Sequence, residues 1–141
     1  MAKERKKKVL IAGLGRSGMA AARLLSAQNA EVYGYDEKSK EAFPTESREE
    51  LDALGVHCYF GRDPAVRDVD QIIVSPGLPL NLPVIVHARQ AGAEVIGELE
   101  LAFRNSRSPF VAITGTNGKT TTTALVGEMY RLAAYPHRVV G

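Results

Sequence analysis

Apolar and polar positions along the 141 residues follow a regular order. Residues 9–12 are a continuous apolar run, the pattern of a strand buried on both faces of a parallel sheet. Residues 19–28 switch to helical spacing, with Met19, Ala22 and Leu25 beside Ala21 and Leu24 on one side. Residues 31–35 alternate toward Asp36 and predict a second strand. A polar stretch with Pro44 predicts a loop over 37–48, then a short helix over 48–54 that Gly55 ends. Residues 56–60 predict a third strand and 71–74 a fourth, stopped by Ser75-Pro76-Gly77. Pro79 and Pro83 keep the next stretch extended, and Pro83 also suits the first turn of a helix running to Gln90 and closed by Gly92. A fifth strand over 94–96, a helix over 98–105, a new strand over 110–113 and a helix over 123–134 complete the order.

Strands alternating with helices predict an α/β fold: a Rossmann-like parallel sheet with helices on both faces, followed by the first β–P-loop–α unit of a second domain. Composition changes little along the chain, so the boundary rests on the motifs. It is placed within 93–109, giving a substrate-binding domain over 1–93 and the start of an ATP-binding domain over 94–141.

Two glycine-rich loops carry the candidate chemistry. Gly13-Leu14-Gly15-Arg16-Ser17-Gly18 follows the first strand and opens the first helix, with Asp36 ending the second strand 18 residues past Gly18. In that context GxGxxG is a dinucleotide fingerprint: the glycines admit a tight turn and a close diphosphate, and the helix N-terminus supplies N–H donors. Asp36 stands where it can accept a hydrogen bond from a ribose or base edge. The second loop is Thr114-Gly115-Thr116-Asn117-Gly118-Lys119-Thr120-Thr121. Apolar residues precede it and a helical pattern follows, which makes a phosphate cradle for ATP. Lys119 is the candidate for the terminal phosphates and the Thr120 hydroxyl for Mg²⁺. The general P-loop has a glycine five residues before its Gly-Lys pair; here that position is Ile113.

The first loop alone predicts a nicotinamide cofactor, yet a plain dehydrogenase does not need the second. A ligase that takes a UDP-linked substrate and ATP needs both. An NAD(P)-dependent oxidoreductase domain and a non-catalytic nucleotide-binding module stay as alternatives.

Charge and cysteine content narrow the setting. Lys3, Arg5, Lys6, Lys7 and Lys8 against Glu4 put the tail at +4, which leaves the remainder at −2 within a total of +2. A short basic tail, expected to be solvated and frayed, on a slightly acidic body argues against a nucleic-acid protein. The tail and the apolar run after it do not make a secretory signal, because the run is short, holds two glycines and ends at Arg16. No apolar stretch approaches the roughly 20 residues of a membrane span. With the one cysteine, Cys58, expected to be buried and inert, a cytoplasmic, monomeric protein is expected. His57, His87 and His137 show no ligand spacing. Glu98 and Glu100 are read first as helix-capping or solvated carboxylates, with a carboxylate pair as the alternative. Arg104 and Arg107 are surface charges or contacts on the UDP-sugar side.

Thr-Gly-Thr-Asn-Gly-Lys-Thr resembles the P-loop variant of the Mur ligases and folylpolyglutamate synthetase. With Gly13-Leu14-Gly15-Arg16-Ser17-Gly18-Met19-Ala20, Val74-Ser75-Pro76-Gly77-Leu78-Pro79 and Val95-Ile96-Gly97-Glu98-Leu99-Glu100-Leu101, the chain over 8–141 resembles the Mur ligase family. Asn117 and the Ser-Pro-Gly turn favour the D-glutamate-adding branch over the L-alanine-adding one, which usually has His at the Asn117 position. The resemblance implies an ATP- and Mg²⁺-dependent ligase of peptidoglycan synthesis. It would join D-glutamate to UDP-N-acetylmuramoyl-L-alanine through an acyl-phosphate. It also implies that Gly13, Leu14, Gly15, Arg16, Ser17 and Gly18 line the diphosphate and uridine pocket. Asp36, Glu37 and Lys38 would sit at the uracil and ribose, and Ser75, Pro76 and Gly77 at the sheet edge beside the substrate. Gly115, Thr116, Asn117, Gly118, Lys119, Thr120 and Thr121 would hold ATP. The family's further metal ligands and its D-glutamate site have no counterpart in these residues, so this polypeptide alone is expected not to ligate.

Overall fold

The computed structural model describes residues 5–64 and 68–140; Lys3 and Glu4 of the basic tail lie outside the described residues. The chain forms two compact units, Met1–Ser106 and Arg107–Gly141.

The first unit is built on β1 (Lys8–Ala12), β2 (Glu31–Asp36), β3 (His57–Phe60), β4 (Gln71–Val74) and β5 (Glu94–Gly97). They form one parallel sheet in the order β3-β2-β1-β4-β5. The helices are α1 (Arg16–Ala27), α2 (Thr45–Ala53), α3 (Pro83–Gln90) and α4 (Glu98–Asn105). Side chains alternate across a strand, and β1 shows the consequence. Val9 and Ile11 enter a core with Met19, Ala22, Leu51, Ile73 and Leu101, whereas Leu10 and Ala12 enter another with Ile72, Val74, Val84 and Ile85. The sheet thus carries α1, α2 and α4 on one face and α3 on the other, and central strands β1 and β4 are apolar at consecutive positions because both faces are covered.

Three helices of this unit end in the same way. Past α1, α2 and α3 the chain enters the left-handed region at Asn29, Gly55 and Gly92. The next residue then donates its N–H back to the helix: Ala30 to Leu25, Val56 to Leu51 and Ala93 to Ala88. This is the Schellman turn, and it delivers the chain directly into β2, β3 and β5.

Several element bounds are sharpened or changed. α1 starts at Arg16, earlier than its apolar spacing shows, because Arg16 and Ser17 form an exposed first turn. α2 starts at Thr45, since Pro44 at its N-cap (φ −58°, ψ 132°) marks the entry to the helix. The two compact units part after Ser106, inside the 93–109 range that the motifs allow: β5 is hydrogen-bonded to β4 and Leu101 of α4 lies in the core. Residues 110–113 form no strand. A strand needs a neighbour to pair with, and the second unit's described residues contain helix α5 (Lys119–Leu132) and no other strand. Leu125, Met129 and Leu132 of α5 are exposed, Val126 is half-buried and Gly127 is its buried residue.

Candidate functional site

The strand register builds the site. Tyr35, Ala12, Val74 and Gly97 stand side by side across β2, β1, β4 and β5. The residues that follow them therefore form a row along the carboxyl edge: Asp36, Gly13, Ser75 and Glu98. Strand order reverses between β1 and β4, the switch point where open α/β sheets bind ligands.

Gly13 holds the centre of the row. Its φ of +96° is unfavourable for any side chain, and a Cβ there would stand 2.6 Å from Ser75 Oγ. Its N–H donates to the Tyr35 carbonyl at 2.8 Å. A Cβ on Gly18 would come within 2.0 Å of the Gly13 carbonyl oxygen, so α1 packs directly on the loop it follows. Gly15 differs: a Cβ there meets nothing within 4 Å. Gly15 caps α1 with no side-chain hydrogen bond and no acidic residue follows in the first turn. The first N–H groups of a helix lack intrahelical acceptors. Arg16 and Ser17 are exposed beside them, a geometry that suits an anion.

Asp36 is half-buried and accepts two backbone N–H bonds, from Leu14 and from Lys38, each at 3.0 Å. It fixes the loop from the β2 side. The Leu14 side chain is 2 % exposed and packs in the core. Leu14 therefore reaches the loop through its backbone, and that N–H is bonded to Asp36. Glu37 and Lys38 are exposed next to Asp36, and Pro76 and Gly77 are exposed after Ser75. Ser75 itself is engaged: its N–H donates to Ala12 at 3.0 Å and its hydroxyl to Glu98 at 2.5 Å. A separate open cleft of about 460 Å³ lies past Asp36, lined by Ser39, Lys40, Arg48, Phe60 and Arg62.

The second loop is simpler. Gly118 caps α5 at φ +75° without a side-chain hydrogen bond, and no acidic residue follows in the first turn. Gly115, Thr116, Asn117, Gly118, Lys119, Thr120 and Thr121 are all exposed. The Lys119 ammonium donates to the Gly115 carbonyl, and the Thr122 N–H to the Gly118 carbonyl at 2.9 Å. An open helix N-terminus with an ammonium on its own loop fits a polyphosphate. Among the described residues no three His, Cys, Asp or Glu side chains gather for a metal.

Residues 7–97 match the family model described as Mur ligase MurD-like, N-terminal domain. The chain belongs to the Mur ligase family. It is 50% identical over 127 residues to the UDP-N-acetylmuramoylalanine--D-glutamate ligase of Caldicellulosiruptor bescii, covering 89% of this chain and 28% of that protein. The Caldanaerobacter subterraneus protein of the same name is 42% identical over 139 residues, covering 97% and 31%. The crystal structure of the UDP-N-acetylmuramate-alanine ligase MurC from Thermotoga maritima superposes with a TM-score of 0.57 at 28% identity, covering 90% of this chain and 30% of that one. The chain thus spans less than a third of the length of the curated relatives it matches.

Other residues of this Mur ligase chain are placed away from the row. Arg104 bridges Glu94 at 2.7 Å and Glu100 at 2.8 Å, and Glu94 starts β5, so Arg104 serves the opposite, amino edge. The basic tail is tethered where it is described: Arg5 pairs with Asp70 at 2.9 Å and Lys8 with Asp68 at 2.6 Å. It is therefore not simply frayed, although such exposed pairs add little stability. Cys58 is half-buried and desolvation pushes its thiol up to about 11, which suits an inert side chain. His57 stacks near Tyr33, His87 lies 3.8 Å from Asp63 and His137 bonds the Tyr135 carbonyl. Glu98 stands on the row, where sequence alone offers a helix cap or half of a carboxylate pair with Glu100. Its place directly after an apolar strand, like Ser75, was the available signal.

Proposed function

We propose that this chain is the UDP-substrate-holding part, with the opening of the ATP site, of a ligase that joins D-glutamate to UDP-N-acetylmuramoyl-L-alanine. The observation that carries the reading is the uncapped N-terminus of α1 at the switch point, held open between Asp36 and Ser75. The relatives' names supply the substrate. The N–H groups of Arg16 and Ser17 bind the diphosphate, and Asp36, Glu37 and Lys38 flank the nucleoside. In the second unit the loop over 115–121 receives ATP, with Lys119 against its terminal phosphates and Thr120 on Mg²⁺, which would neutralise charge on the transferring phosphoryl group. The L-alanine carboxylate takes the γ-phosphoryl group and ADP leaves. The amino nitrogen of D-glutamate then forms the amide bond as phosphate departs. The protein is expected to act in the cytoplasm.

Calorimetric titration of this chain with UDP-N-acetylmuramoyl-L-alanine, beside NAD⁺ and NADP⁺, tests the reading. Saturable binding of the UDP compound alone is expected. Binding of a nicotinamide nucleotide in its place would overturn it.

A further inference from the structure

We propose that Glu98 and Ser75 act as a pair of positioning residues that holds the diphosphate loop from beneath, and that Ser75 is not itself a ligand donor. The proposal rests on the UDP-binding reading above for its ligand, but its structural half stands without it.

The register brings the pair together. Val74 and Gly97 are opposite each other on β4 and β5, so Ser75 and Glu98 are the first residues beyond the two strand ends. Ser75 Oγ lies 2.5 Å from Glu98 Oε1 and 3.4 Å from the Gly13 carbonyl oxygen. A hydroxyl has one proton and an ionised carboxylate can only accept. The short contact therefore takes that proton, and a charge-assisted bond of this kind is the stronger of the two. Ser75 N–H is spent on Ala12. Neither donor of Ser75 is left for a phosphate oxygen, which can only accept. What Ser75 does offer is its bulk: Oγ and Cβ fill the space directly under Gly13, where a glycine Cβ would stand 2.6 and 2.7 Å from them. Gly13 in turn supports Gly18 and the start of α1.

Glu98 otherwise looks misplaced, since an anion on the row that binds a diphosphate opposes the ligand. Two features offset that charge. Glu98 is the first residue of α4, where the helix N-terminus favours a carboxylate, and the Ser75 proton is directed at it. The row is then symmetrical. Asp36 secures the loop from the β2 side through the Leu14 N–H, and Glu98 secures it from the β5 side through Ser75.

The test uses this chain and the variants Glu98→Ala, Glu98→Gln, Ser75→Ala and the Ser75→Ala/Glu98→Ala double. Two readouts are taken: affinity for UDP-N-acetylmuramoyl-L-alanine by calorimetry, and amide hydrogen exchange over residues 13–17 without ligand. Glu98→Ala is expected to weaken binding about tenfold, the loss of one hydrogen bond to a charged group, and to speed exchange at Leu14 and Gly15. Glu98→Gln, which keeps an acceptor for the hydroxyl and drops the charge, should restore most of both. The double variant should be no worse than Ser75→Ala alone, because one interaction is being removed twice. Additive losses, or Glu98→Gln as damaging as Glu98→Ala, would overturn the pair. Should the parent chain bind no UDP compound, the functional reading fails while the exchange comparison still decides the positioning role. Unchanged exchange in Glu98→Ala sinks it.

Discussion

The glycine loops at 13–18 and 115–118 have the same plan and opposite surroundings. Each turns from the residues before it into a helix, each helix is capped by glycine with no side-chain bond, and neither first turn carries an acid. The first loop is built into a sheet. Gly13 is buried, its N–H is on Tyr35, Leu14 is tied to Asp36, and Ser75 fills the space below. The second is exposed throughout and is held by bonds within its own segment, Lys119 to Gly115 and Thr122 to Gly118. An anion-binding motif is thus a local sequence feature, whereas a preorganised anion site is a property of the strands around it.

The largest difference should appear when a methyl group is added. Gly18→Ala drives a Cβ to 2.0 Å from a backbone oxygen that cannot move without moving β1. It should destabilise the first unit by about 3 kcal/mol or more, beyond ordinary overpacking. Gly118→Ala meets nothing within 4 Å and pays only for φ +75°, about 1 kcal/mol. Urea unfolding of both variants, followed by circular dichroism, measures the contrast. Equal losses would mean that the first loop is no more constrained than the second.

Asp36 gives the next test. Asn at this position keeps one acceptor but turns an NH₂ toward one of the two N–H donors, Leu14 or Lys38. A lost hydrogen bond to a charged group costs about 2 kcal/mol. Asp36→Asn should therefore lower stability by about that much and also weaken UDP-substrate binding about tenfold. Weaker binding with unchanged stability would show that Asp36 touches the ligand and does not hold the loop.

These residues also show what could be read from sequence. The strands of the first unit were legible because burial on both faces makes β1 and β4 continuous apolar runs, and Gly55 and Gly92 mark helix ends by a local requirement for positive φ. GxGxxG and Asp36 were legible as a constellation because strand, loop and helix are contiguous. The partnership of Ser75 with Glu98 was not, since it depends on which strands are neighbours and in what register. Residues 110–113 failed for the same reason in reverse: their apolar pattern is that of a strand, but pairing is not a local property.

The smallest effect belongs to the end of α5. There Ala134 sits at φ 53°, the position that Asn29, Gly55 and Gly92 occupy after α1, α2 and α3. The bonds are those of the same Schellman turn, Tyr135 N–H to Tyr130 at 2.9 Å and Ala134 N–H to Arg131 at 3.1 Å. An alanine there carries the left-handed penalty, about 1 kcal/mol, which a glycine avoids at some cost in unfolded-chain entropy. Ala134→Gly should therefore gain about 0.5 kcal/mol, read as roughly twofold slower amide exchange at Ala134 and Tyr135. Gly55→Ala, with open space around its Cβ, should lose about 1 kcal/mol in the first unit. Faster exchange after Ala134→Gly would mean that the contact of the Tyr130 and Tyr135 rings, 5.7 Å apart, depends on the stiffer residue between helix and ring. In that case the second unit's helix end would be held by its side chains, where the first unit's are held by backbone geometry.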